Sequence, residues 1–381
     1  MTARLLEITQ QIIRAALAGE RVDKALREGL AYHRRLTVDE KTTIAQGIFT
    51  YFRWVGWITP DPMKDPEKAS GFVEIRRTAE LAARFSAKPG SFADDELLAH
   101  WAPAWVAEVM PVSASLVRAF QAPPLLWLRA KPGEREMLAG SLQDVEIAPK
   151  GFPDALAYTG PDDLFRHPLF HQGAFEIQDL ASQAVGIMCD PQEKETWWDA
   201  CAGEGGKTMH LAQLKKNKGL IWASDTAQWR LDNLKRRAAR GGVFNYRMAS
   251  WKGDANLPTK TKFDGILVDA PCSGMGTWGR NPQARWTTTA KDVQELAALQ
   301  KQLLTHAVKG LKPGGRLIYS VCTLARPECD EVVESISAAQ PQLRPLELTA
   351  PFSGARSATH SITPLQTRSN AMFVAGWHLP S

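Results

Sequence analysis

The strongest constraint on this chain is a change of rhythm near residue 174, after which apolar strands and amphipathic helices alternate. The stretch "ETWWDACAGEGGKTMHLAQL" reads as strand, glycine turn and helix, and "GLIWASD" as a strand that closes on Asp225. Three further strands follow in "FNYRMAS", "FDGILVDAP" and "GRLIYSVC", with the long helix "KDVQELAALQKQLLTHAVKGL" between the last two. Alternation of this kind builds a parallel, doubly wound sheet that takes its ligand outside the carboxyl ends of the strands. The residues with chemistry to offer fall at those ends. Residues 173–381 are therefore expected to form an α/β catalytic domain.

Three cofactors compete for the turn "DACAGEGGKT". An ATP-binding P-loop needs a glycine where Cys201 stands, and a nicotinamide fingerprint is broken after Gly203 and Gly205 by Thr208. Glycines between a strand and a helix let backbone N–H groups approach an anion, and the helix amino end favours a carboxylate there. This makes Ala202, Gly203, Glu204, Gly205 and Gly206 a candidate cradle, while Asp225 at the end of the next strand suits the two hydroxyls of a ribose. S-adenosylmethionine offers both a carboxylate and a ribose. A purely structural turn with a capping aspartate is the competing reading.

Two cysteines bear on that choice. Cys272 follows the fourth strand in "VDAPCSG", and Cys322 ends the fifth in "YSVCTL", fifty positions on (322 − 272 = 50). Each alone reads as a small buried hydrophobe. Together, on neighbouring strand ends beside a cofactor turn, they point to methylation of pyrimidine C5. Thiolate addition at C6 makes C5 nucleophilic enough to take a sulfonium methyl, and Asp269 is placed to support the protonation that addition requires. The residues alone do not say which thiol attacks. Cys201, Cys329 and His210 are read as packing, the beginning of a helix and a structural residue respectively.

Residues 1–122 are helical throughout, with Leu5, Ile8, Ile12 and Ala16 on one face, and Thr37 with Glu40 marking a helix start. Arg14, Arg21, Lys24, Arg27, Arg34 and Arg35 lie between the apolar stripes and form either a solvated face or a phosphate-facing one. The same two readings apply to "RLDNLKRRAARGG" with Lys215, Lys216 and Lys218. From "QAPPLLWLRAKPGE", residues 123–172 read as a small α+β linker subdomain. The five cysteines form no C-x-x-C pair, so reduced thiols in a cytoplasm are expected, without a metal. No segment has a continuous apolar run suited to a signal peptide or membrane span. A net charge of +5 fits a nucleic-acid partner without requiring one.

The motifs "QDLASQAV", "DACAGEGGKTMHLA", "DAPCSGMGT" with "RNP" at 280–282, and "YSVCTL" together resemble the Sun-type (Fmu-like) RNA cytosine-5 methyltransferases, in that family's order and spacing. The resemblance implies a Rossmann-like S-adenosylmethionine-dependent catalytic domain preceded by an all-α, NusB-like RNA-binding domain and the small linker. It implies Cys322 as nucleophile and Cys272 as the group assisting product release. It implies Asp225 at the ribose, Arg230 beside the cofactor, and Lys207 and Asp269 facing the catalytic centre. Three positions depart from the family: Glu204 stands for a proline, Ser250 stands near the place of an adenine-side acid, with Asp254 as its substitute, and "SVCTL" replaces Ser-Thr-Cys-Ser. The implied partner is RNA, small-subunit rRNA before tRNA, bound by a monomer. The alternative is an RNA-binding ribosome assembly factor with a weakened pocket.

Overall fold

Helix α1 (Ala3–Leu17) forms because Leu5, Ile8, Ile12, Ile13 and Ala16 make one buried stripe, and Thr2 caps it by accepting from the Leu5 N–H. Helices α2 (Val22–Tyr32) and α3 (Val38–Trp54) follow. At the start of α3 the Thr37 hydroxyl accepts from the Glu40 N–H at 3.2 Å while the Glu40 carboxylate accepts from the Thr37 N–H at 2.8 Å, the reciprocal cap expected from the sequence. With α4 (Phe72–Ala87) these helices enclose a core around Ile44, Ile48, Tyr51 and Phe52, and α5 (Ala114–Gln121) joins α3 through Gln121, which donates to the Arg53 carbonyl. The computed structural model describes residues 1–59 and 61–381.

This helical unit is not continuous in sequence. It comprises Met1–Pro124 and Thr277–Asp292, the second unit being Leu125–Gly276 with Val293–Ser381. The division at 122 and 172 assigned 277–292 to the catalytic part, yet these residues complete the helical core. Gln283 donates to the carbonyls of Ala16 and Glu20 and accepts from the Val22 N–H, so one amide satisfies groups left open where α1 ends and α2 begins. The buried Arg285 guanidinium donates to Gln121 and to the carbonyls of Phe120 and Trp278, and Trp286 donates to the Phe52 carbonyl. The basic residues of the first helices are exposed, but Arg21 pairs with Asp23, and Lys24 with Glu20 and Glu28.

The second unit holds two sheets. Strands β1 (Leu126–Ala130), β2 (Val145–Ile147), β3 (Ala155–Tyr158) and β4 (Phe175–Ile177) make an antiparallel sheet in the order β2-β3-β1-β4, so the expected linker has strands and shares a unit with the larger sheet. After α6 (Leu180–Met188) come β5 (Thr196–Asp199), α7 (Gly206–Leu214), β6 (Leu220–Asp225), α8 (Gln228–Gly241), β7 (Tyr246–Ser250) and β8 (Phe263–Asp269). Then α9 (Ala290–Ala307), which belongs to this unit from Val293 onward, β9 (Leu311–Val321), α10 (Asp330–Ala339) and β10 (Met372–His378) complete the unit. The core of the large sheet runs β10-β9-β8-β5-β6-β7, parallel except for β10. The central strand β8 is buried on both faces, which explains its near-continuous apolar run, whereas the edge strand β7 is partly exposed. Gly265 interrupts that run because a Cβ there would enter the Trp197 ring.

Candidate active site

The turn after β5 is shaped by Gly203 (φ +53°) and Gly205 (φ +83°), both in the left-handed region. It delivers the amino end of α7 to the carboxyl edge of the sheet. The Asp225 carboxylate closes the far side, accepting from the Gly203 N–H at 3.1 Å and the Ala227 N–H at 2.8 Å, with Arg230 3.6 Å away. Beside Asp225, and reached by the turn only through Ala200 and Cys201, lies a cavity of about 370 Å³ whose walls also include Arg230, Trp251, Asp269 and Pro271. An acid at a strand end, a glycine cradle and an apolar wall fit a nucleoside carrying a carboxylate.

The departures fall differently from expectation. Glu204 is exposed, and its backbone carbonyl accepts from Arg237, so its side-chain charge meets water. Ser250 is also exposed at the end of β7, opposite Asp225 in register. It is Trp251, the next residue, that lines the cavity; its ring packs edge-on against Trp198 and its N–H is held by the Asp254 carbonyl. Asp254 spends its carboxylate on the Asn256 N–H. Cys201 packs behind the turn and also contributes to the wall.

Beside the cavity, Lys207 of α7 donates to Asp269 at 2.7 Å, and the other oxygen of Asp269 accepts from Ser320 at 2.7 Å. Burial works against the Lys207 charge, but Asp269 and Cys322 outweigh it and raise the ammonium's pKa. The Cys272 and Cys322 sulfurs stand 3.3 Å apart, because β8 and β9 are adjacent and parallel and each thiol follows its strand end. The Cys272 thiol is pushed well above its ordinary range by its hydrogen bond to Cys322, by burial and by Glu328.

Three buried polar residues around the site escaped the sequence reading. Asp199 ends β5 fully buried; Thr208 donates to one oxygen at 2.6 Å while the other has no partner among the described residues, and burial lifts its pKa to about 7. Ser320 and Glu328 are the others. An acid closing the first strand was a usable signal for Asp199, but nothing local marks Ser320 or Glu328. His210 packs against Gly186 and is held neutral by burial, in keeping with a structural role. Lys215 is spent on the carbonyls of Glu195 and Leu220, Lys216 and Lys218 on Glu193, and Arg237 and Arg240 on Glu176, which leaves that basic stretch largely engaged within the unit.

The parallel sheet, glycine turn and acid-tipped second strand define a Rossmann-like methyltransferase domain. A family model described as 16S rRNA methyltransferase RsmB/F matches residues 186–378, and the chain belongs to this family, in agreement with the Sun-type resemblance. The probable ribosomal RNA small subunit methyltransferase B of Synechocystis is 34% identical over 276 residues, covering 68% of this chain and 61% of the relative. The chain thus spans about three fifths of that relative's length. Among solved structures, PH0851 superposes with a TM-score of 0.78 at 23% identity, covering 99% of both chains. NSun6 from Pyrococcus horikoshii, solved with the S-adenosylmethionine analogue SFG, superposes with a TM-score of 0.63 at 21% identity over 70% of this chain and 94% of that one. At these identities the two structures speak for the fold. Among the described residues no helix is long and apolar enough to cross a membrane, and no cluster of His, Cys, Asp and Glu is arranged for a metal.

Proposed function

We propose that this chain methylates C5 of a cytosine in RNA, with 16S rRNA as substrate and S-adenosylmethionine as methyl donor. The observation that carries the reading is the pair of sulfurs 3.3 Å apart on adjacent strand ends, beside a cavity with the furniture of a nucleoside site. The family match and the ligand of NSun6 support the donor. Bound there, S-adenosylmethionine supplies an electrophilic methyl group. Asp225 would hold the ribose hydroxyls, the amino end of α7 beginning at Gly206 would face the carboxylate, and Arg230 would flank the site.

The residues then divide the work. Cys322, as thiolate, adds to C6 of the cytosine, and the electron pair this pushes into the ring makes C5 the nucleophile. Asp269, fixed by Lys207 and Ser320, faces the ring edge that gains a proton when the thiolate adds. Once C5 carries the methyl, its proton passes to solvent, the C–H electron pair re-forms the C5–C6 double bond, and Cys322 leaves C6 as thiolate, a departure that Cys272 assists. The base must leave its stack to reach the thiols, which favours a loop or an incompletely assembled rRNA. The reading places the protein in the cytoplasm as a monomer. A tRNA substrate is the second reading within the class, and a catalytically weak assembly factor the one outside it. The exposure of Glu204 and Ser250 favours the enzyme, because neither departure intrudes on the cavity.

Bisulfite sequencing of RNA from a strain lacking the protein tests the assignment. A cytosine in 16S rRNA that loses its protection from conversion supports it, a lost site in tRNA redirects it, and an unchanged pattern with no S-adenosylmethionine binding by the purified protein leaves the assembly factor.

A further inference from the structure

Glu328 is fully buried in the turn between β9 and α10, with no place in the chemistry above. One of its oxygens accepts from the Ser273 N–H at 2.8 Å and from the Gln300 amide at 2.9 Å, and the other accepts from the Ser273 hydroxyl at 2.5 Å. Burial raises the pKa of this carboxyl group, and the donors from Ser273 and Gln300 oppose that shift by favouring the ionised form. Ser273 is the residue after Cys272, and its hydroxyl lies 3.2 Å from that of Thr323, the residue after Cys322. Gln300 also donates to the carbonyl of Pro271, the residue before Cys272. One carboxylate therefore gathers both flanks of one cysteine and reaches the neighbour of the other.

Building on the roles given to Cys322 and Cys272, we propose that Glu328 is a positioning residue that ties the two thiol-bearing loops together and holds Cys272 as a neutral thiol beside the nucleophile Cys322. The surrounding charges are arranged for this sorting. Lys207 is the cation whose state Cys322 influences, while Glu328 is an anion acting on Cys272. Other titratable groups coupled to Cys272 and Glu328 among the described residues include Tyr319, Cys329 with its neighbour Asp330, and Asp269. Tyr319 and Cys329 are both pushed upward by burial and stay neutral, and Asp269 is engaged by Lys207 and Ser320. Two identical side chains in contact thus receive different charged neighbours, and a difference in duty follows.

The test follows each thiol by iodoacetamide alkylation across pH, with the modified peptides resolved by mass spectrometry. In the wild type Cys322 should react well before Cys272. Glu328→Gln keeps the shape and removes the charge, and should speed Cys272 alkylation near pH 7.5 by roughly tenfold, the effect of one pKa unit on the thiolate fraction, with Cys322 little changed. Ser273→Ala removes a tether but leaves the anion with one donor fewer, so Cys272 should react no faster than in the wild type. An unchanged ratio in E328Q overturns the proposal. So does an S273A protein in which Cys272 speeds up, since loosening of the loop would then govern reactivity; this arm decides even if E328Q does not fold. Neither RNA nor S-adenosylmethionine is needed, so a thiol result as expected alongside absent RNA methylation would reject the function while leaving the sorting of the thiols intact.

Discussion

At the residue scale the two thiols make separable predictions. Cys322→Ala should bind RNA and S-adenosylmethionine yet form neither product nor covalent adduct, because C5 is never activated. Cys272→Ala should instead stall after methyl transfer, giving a denaturant-resistant protein–RNA complex on a gel that depends on added methyl donor. Reversal of these two outcomes would make Cys272 the nucleophile. Asp225→Ala removes an acceptor of charge-assisted hydrogen bonds worth about 1.5–3 kcal/mol, so S-adenosylmethionine should bind about tenfold or more weakly by calorimetry. Asp199 carries a pH signature. Its folded pKa near 7 lies above the unfolded value of 3.8, so the unfolded chain gives up this proton first, and stability falls as pH rises between those values. Asp199→Asn keeps an acceptor for Thr208 and removes the burial of charge. It should raise the denaturant midpoint relative to wild type at pH 8, with the gain shrinking toward pH 4.

At the scale of elements, much was legible because it rests on local periodicity. The switch to alternating strands and helices set the sheet, and adjacency of β8 and β9 brought Cys272 and Cys322 together. Thr37 and Glu40, three positions apart, announced α3 through their reciprocal cap. What stayed hidden depends on contacts with no local trace. Trp251 displaces Ser250 as cavity wall through a one-residue difference at the end of β7, which no propensity encodes. Lys215 is buried while Lys216 is exposed because two carbonyls happen to face the former. Gln283 serves the α1–α2 junction from 261 positions beyond Val22. Gln283→Ala should therefore open buried carbonyl and N–H groups at that junction, at about 1–3 kcal/mol. Hydrogen exchange should show faster amides at the start of α2 with little change in β5 or β8.

At the scale of the molecule, the helical unit borrows its last pieces from a distant part of the chain. A fragment of residues 1–124 would lack Gln283, Arg285 and Trp286, and is expected to keep helical circular dichroism while losing a cooperative melt and binding a hydrophobic dye. Adding a peptide of residues 277–292 should sharpen the transition; a fragment that melts cooperatively alone would show the borrowed segment to be dispensable. The same interleaving sets a clock during synthesis. The ribosome finishes Pro124 and must add 168 residues (292 − 124) before the segment ending at Asp292 exists. At about 5–20 residues per second, that is a wait of roughly 10–30 s. For that interval a nascent chain carries the helices of residues 1–124 with an unfilled slot that exposes apolar surface to the cell.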